Sequence, residues 1–180
     1  MRDDRSSGGG STTRRSCVER ALSGLIALLL LSPATIGAQE AQESPPSSPS
    51  IGEKIPAFDA DGVDGVHRHI DFPKGSTTIL LFFLSGCPVC HRMIPEWNSL
   101  YERKDKSLQV VGVLMDREPP GFFLVTNISF PVVRAPSNEF LRQLKVNRAP
   151  LTLRVGPGGV INDLGLGQQD LIRLGELFRP

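Results

Sequence analysis

The segment TTILLFFL, Thr77 to Leu84, constrains the fold more than any other part of the chain. It is a continuous β-favouring run without polar alternation, so the strand it predicts must be covered on both faces. It ends at Ser85-Gly86, and CPVCHRMIPEWNSLYERK follows directly as a helix. Pro88 suits the first turn of that helix, and Pro95, inside it, is expected to kink it. Ile94, Trp97, Leu100 and Tyr101 recur at helical spacing and mark its buried face. LQVVGVL, Leu108 to Leu114, reads as a second buried strand. EPPGFF reads as a loop leading into a short helix. Ser137 to Val146 predicts a helix with Ser137 as N-cap and Phe140, Leu141 and Leu144 as its apolar face. LTLRV after Pro150, the turn GPGG and VINDLG read as a β-hairpin, and QQDLIRLGELF as a closing amphipathic helix. Upstream, IPAFDADGVDGVHRHIDF suggests a hairpin broken by glycines. Strands alternating with helices argue for an α/β layer fold with helices on both faces of a mixed sheet.

The first fifty residues do not share this pattern. Arg14, Arg15 and Arg20 precede ALSGLIALLLL, Ala21 to Leu31, an apolar core of the length of a signal peptide and short for a membrane span. Residues 1–38 are therefore expected to be an export signal, cut after Ala38, and residues 39–50 a Pro/Ser-rich linker. An uncleaved anchor and a twin-arginine signal built on Arg14-Arg15 are the alternatives. The expected location is the periplasm or another extracytoplasmic space. The domain is expected over residues 51–180, large enough to bury about two thirds of its unfolded surface. With 20 basic and 19 acidic residues and a net charge of +1, the chain offers no electrostatic case for nucleic acid.

Export changes the cysteine arithmetic. Cys17 falls inside the signal, so the mature chain keeps Cys87 and Cys90. A bridge between them would close a tiny loop and staple little, so reactivity explains the pair better. Cys87 falls where a buried strand ends and a helix begins, beside free N–H donors and a partial positive charge. Its pKa is expected to be lowered, and Cys90, one turn further in, is expected to be shielded. That asymmetry fits a two-step exchange in which Cys87 attacks and Cys90 releases the product. CPVCH also spells the tether of a c-type haem, but such a domain is mainly helical and this motif follows a buried strand. His91 then reads as a helix-surface residue and Trp97 as helix-face packing. His67 and His69 lie on one side of a strand and read as a polar edge; no metal or cofactor is expected. A thiol peroxidase would carry Thr or Ser three residues before Cys87, where this chain has Leu84. A binding module with a static Cys87–Cys90 bridge is the non-enzymatic alternative.

TTILLFFLSGCPVCHRMIPEWNSL resembles the active-site segment of exported thioredoxin-like proteins, the TlpA/ResA/CcmG group. IGEKIPAF and RAPLTLRVGPGGVI share the resemblance, which covers essentially all of residues 51–180. It implies a thioredoxin-like three-layer fold with Cys87 as nucleophile and Cys90 as resolving thiol. It implies a cis peptide at Ala149-Pro150 facing the cysteines, leaving a backbone edge free to pair with a substrate chain. Substrate would then lie along Ala149, Pro150, Pro88 and Val89. The group's inserted segment accounts for the long stretch between Cys90 and Pro150. The implied partners are client proteins with disulfides or thiols and a membrane or soluble redox partner, with cytochrome c biogenesis among the group's roles. Contact with a membrane is expected only if the N-terminal segment stays uncleaved. Two positions depart from the group: Gly86 stands where it usually has Trp, and Met93 where several members have Glu. FLSGCPVC is similar in wording to MauD-type accessory proteins of methylamine utilisation, which points toward disulfide formation or isomerisation.

Overall fold

The computed structural model of the chain describes residues 48–180. The expected export signal and most of the expected linker lie outside the described residues. Twelve elements follow in order: β1 (Phe58–Asp61), β2 (His67–Ile70), β3 (Thr77–Phe83), α1 (Pro88–Arg103), β4 (Leu108–Leu114), α2 (Phe122–Val125), β5 (Val132–Arg134), α3 (Asn138–Gln143), β6 (Leu151–Val155), a 3-10 turn (Pro157–Gly159), β7 (Ile161–Leu166) and α4 (Leu171–Leu177).

The main sheet has the strand order β5-β4-β3-β6-β7. β3 runs parallel to β4 and antiparallel to β6, and β4 runs parallel to β5, so the sheet is mixed. The unbroken apolar run thus occupies the centre, with both faces covered. Leu80 and Phe82 point into a core shared with Phe58, Ile70, Phe140, Leu141 and Leu153. Ile79, Leu81 and Phe83 point the other way, into a core shared with Met93, Ile94, Trp97, Leu174 and Leu177. One face therefore carries α3 and the β1–β2 hairpin, and the other carries α1 and α4. This is the three-layer arrangement expected of a thioredoxin-like fold. Trp97 is fully buried, tilted against Phe83 and edge-on to Phe130, as helix-face packing requires.

The hairpin near the start pairs with itself as a separate two-stranded sheet. The chain before it is laced to the far hairpin by Gly52 N–H to the Ile161 carbonyl and Ile55 N–H to the Gly159 carbonyl, both 2.8 Å. Gly159 is required there. Its φ is +83°, and a Cβ would sit 2.0 Å from the Ile55 carbonyl oxygen. Gly159→Ala is expected to cost about 3 kcal/mol, read as a lower urea midpoint at unchanged slope. A wild-type midpoint would show that this lacing contributes nothing.

Some element boundaries differ from the sequence expectation, each for a local reason. α1 continues through Pro95, which lies inside it as expected and is exposed, so the carbonyl left without an N–H is on the solvent side. α3 ends at Gln143 instead of running to Val146. Lys145 turns left-handed at φ +56°, and Val146 N–H closes on the Leu141 carbonyl at 2.8 Å, a Schellman-type stop with lysine in the glycine position. Lys145 is held there by its ion pair with Glu53. Ser137 is the N-cap as expected, its hydroxyl accepting from Phe140 N–H. α4 begins at Leu171 because Asp170 caps it, while Gln169 bonds back to the Leu166 carbonyl. β5 has no counterpart in the sequence reading: three residues after Pro131 are too few to show a period.

Candidate active site

Cys87 is the N-cap of α1. The chain leaves β3 at Phe83, turns through Leu84, Ser85 and Gly86, and enters the helix with Pro88 in its first turn, where a missing N–H costs nothing. The Cys90 N–H donates to Cys87 Sγ at 3.2 Å, so an orphan donor of the helix N-terminus points at the sulfur. Cys87 is half-buried, whereas Cys90 is fully buried, and both thiols are free. Cys90 shares its core with Met93, Phe122 and Ile94. Burial, followed by the contact with Cys87, pushes the Cys90 thiol up to about 12. Met93 is itself buried, so the position one turn on from Cys90 supplies apolar cover rather than a carboxylate.

The Ala149-Pro150 peptide is cis, and Cys87 Sγ lies 3.9 Å from the Ala149 carbonyl oxygen. The structure thus brings the two ends of the expected site together from 62 residues apart in sequence. Pro88 is exposed and Val89 half-buried beside the sulfur, while Pro150 is buried beneath the Ala149 edge.

The contacts among three neighbours, Ser85, Asp116 and His91, escaped the sequence reading. Ser85, 5 % exposed, donates its N–H and its hydroxyl to the two oxygens of Asp116, each at 2.8 Å. His91 Nε2 lies 2.7 Å from the Ser85 carbonyl oxygen, and its ring meets Phe122 edge-on at 5.7 Å. His91 is exposed, as a helix-surface residue should be, yet its side chain is engaged. The signal available for Asp116 was topological. β3 and β4 are parallel and in register, with Phe83 opposite Leu114. The residues just past their carboxyl ends therefore meet, where α/β sheets collect functional groups.

This geometry does not fit a tethered haem. A thioether at Cys90 would have to leave the core, and His91 Nε2, the atom for an axial bond, is committed to Ser85. His67 and His69 each pair with an aspartate across β1–β2, Asp61 at 2.8 Å and Asp59 at 2.7 Å. Asp61 raises the His67 imidazole above its usual range. Among the described residues, no group of three or more His, Cys, Asp or Glu converges on a metal position. A depression of about 570 Å³ lined by Glu118, Phe122, Phe123, Leu124 and Arg134 contains neither sulfur.

The mixed sheet with helices on both faces is a thioredoxin-like fold, and comparison with known proteins makes the chain a thioredoxin-like thiol–disulfide oxidoreductase. Residues 51–163 match the model of the AhpC/TSA family. The chain belongs to that family. It is 27% identical over 148 residues to sporulation thiol-disulfide oxidoreductase A of Bacillus subtilis, covering 78% of this chain and 85% of that one. It is 26% identical over 132 residues to the thiol-disulfide oxidoreductase ResA of Oceanobacillus iheyensis, covering 69% of each. The crystal structure of StoA from Bacillus subtilis superposes with a TM-score of 0.61 at 23% identity, over 71% of this chain and all of that one.

Proposed function

We propose that the protein exchanges disulfides with client proteins through Cys87 and Cys90, as an exported enzyme. One observation carries this reading: a half-buried sulfur at a helix N-terminus, with a fully buried thiol one turn behind it. In the reducing direction the Cys87 thiolate attacks a client disulfide. An S–S bond forms between Cys87 and one client sulfur, and the other client sulfur leaves as a thiolate. Cys90 then gives up its proton and attacks Cys87 Sγ. The mixed disulfide breaks, the client departs as a dithiol, and Cys87–Cys90 is left as the disulfide. With its thiol held near 12, Cys90 loses its proton only as it attacks, and the departing client thiolate is the natural acceptor. The reverse sequence donates a disulfide, and the relative potentials of client and partner set the direction.

The client segment is proposed to lie along Pro88 and Val89 on one side and Ala149 and Pro150 on the other. The proximity of the Ala149 carbonyl to Cys87 Sγ supports this. Export rests on the N-terminal sequence, Arg-bearing and then apolar. A redox partner, soluble or membrane-borne, completes the cycle by resetting the dithiol.

The test is equilibration in glutathione buffers of graded potential, followed by mass analysis of alkylated thiols and by turnover of a disulfide-bonded test protein. Reversible interconversion of dithiol and disulfide, with catalysed exchange, is the expected result. A bridge that no glutathione buffer opens would instead favour the static binding module, and a Soret band surviving acid–acetone extraction would favour haem.

A further inference from the structure

Gly86, immediately before Cys87, is exposed, and a Cβ there would meet nothing within 4 Å. With open space where a side chain would stand, Gly86 puts no side-chain restraint on the peptide plane before it, and rotation of that plane would move the sulfur. Ser85 is anchored on its N-terminal side, where its N–H and hydroxyl donate to Asp116. The Ser85–Gly86 peptide itself carries the Ser85 carbonyl, and this is the group that His91 holds, at 2.7 Å. The carbonyl only accepts, so Nε2 carries the hydrogen, whether or not Nδ1 also takes a proton. The imidazole is steadied in turn by its edge-on contact with Phe122. From the far side, Cys87 N–H closes the turn on the Leu84 carbonyl at 3.3 Å.

We infer that His91 is a positioning residue: by holding the Ser85–Gly86 peptide through its Nε2–H, it clamps the glycine hinge that aims Cys87. The inference rests on Cys87 being the attacking sulfur. With the hinge loosened, Cys87 Sγ drifts from the Cys90 N–H that points at it, and the sulfur becomes a slower nucleophile. The role requires a donor at the end of the side chain, not a titrating ring, so glutamine can fill it.

The experiment is alkylation of the reduced full chain by iodoacetamide at neutral pH, with the rate at Cys87 read by mass spectrometry. His91→Phe keeps a ring against Phe122 and removes the donor; it is expected to react about tenfold more slowly, the worth of one hydrogen bond. His91→Gln restores the donor and is expected to stay within about threefold of wild type. His91→Met, of similar length and without a donor, takes the place of the phenylalanine variant if that one fails to fold. A donor-less variant reacting at the wild-type rate would overturn the inference, and so would a glutamine variant as slow as the donor-less one. Alkylation needs no disulfide substrate, so its outcome is separate from whether the protein exchanges disulfides at all.

Discussion

Cys87→Ser is expected to remove turnover of a disulfide-bonded client by on the order of 10³-fold or more, while Cys90→Ser is expected to stop the cycle half-way. The asymmetry follows from burial. Cys87 Sγ is half-buried, at a helix N-terminus and beside the Ala149 edge. A hydroxyl in its place is too weak a nucleophile toward sulfur to carry the first step. Cys90 has no exposed surface, so a client disulfide cannot reach it in the folded protein, and Cys87→Ser has no second route. Without Cys90, the first step still runs, and the mixed disulfide then waits for an outside thiol. Non-reducing gels of Cys90→Ser mixed with client should show a covalent adduct that dithiothreitol releases, and Cys87→Ser should show none. An adduct in Cys87→Ser but not in Cys90→Ser would reverse the two roles. Full turnover in either single variant would remove the dithiol mechanism altogether.

The reduced protein is expected to lose stability above about pH 9, relative to a reduced Cys90→Ala variant, by about 1.4 kcal/mol for each pH unit. The folded-state thiol is raised from the ordinary 9.0 to about 12, chiefly by burial. Between those limits the unfolded chain has released the Cys90 proton and the folded chain still holds it. The unfolded state then binds fewer protons, so raising the pH favours unfolding. Below about pH 9 both states are protonated and the difference between the two proteins is flat. The oxidised protein has no such thiol and serves as the control. Urea titrations from pH 8 to pH 11 would make the measurement, and parallel curves for the two reduced proteins would mean that Cys90 ionises freely in the fold. The same burial has a catalytic consequence: at neutral pH the second thiol is held back until a mixed disulfide forms next to it.

Much of this architecture is legible along the chain because it depends on local periodicity and on capping chemistry. The run from Thr77 to Leu84 marks a strand covered on both faces, and β3 is the central strand of the sheet. Ser137 caps α3 as its side chain predicts, and GPGG turns one strand of the last hairpin into the next. The C-x-x-C at a strand-to-helix junction is visible because all its parts are neighbours in sequence. The short edge strand β5 is not visible in the same way. Val132 and Val133 become a strand through pairing with Gly112 and Val113, and no window of three residues contains that information.

The site divides along the same line. Sequence alone identified the two sulfurs, their order along the helix and the expectation that the second is shielded, since a helix N-terminus and a covered strand are properties of contiguous residues. Tertiary structure alone decided that Asp116 grips Ser85 from 31 residues away, because two parallel strands must first align for their carboxyl ends to meet. It also decided that the exposed His91 reaches back to the Ser85 carbonyl rather than pointing into solvent. A side chain's partner depends on which backbone atoms the turn before the helix presents, and the path of that turn is set by contacts from both sides of the sheet's end.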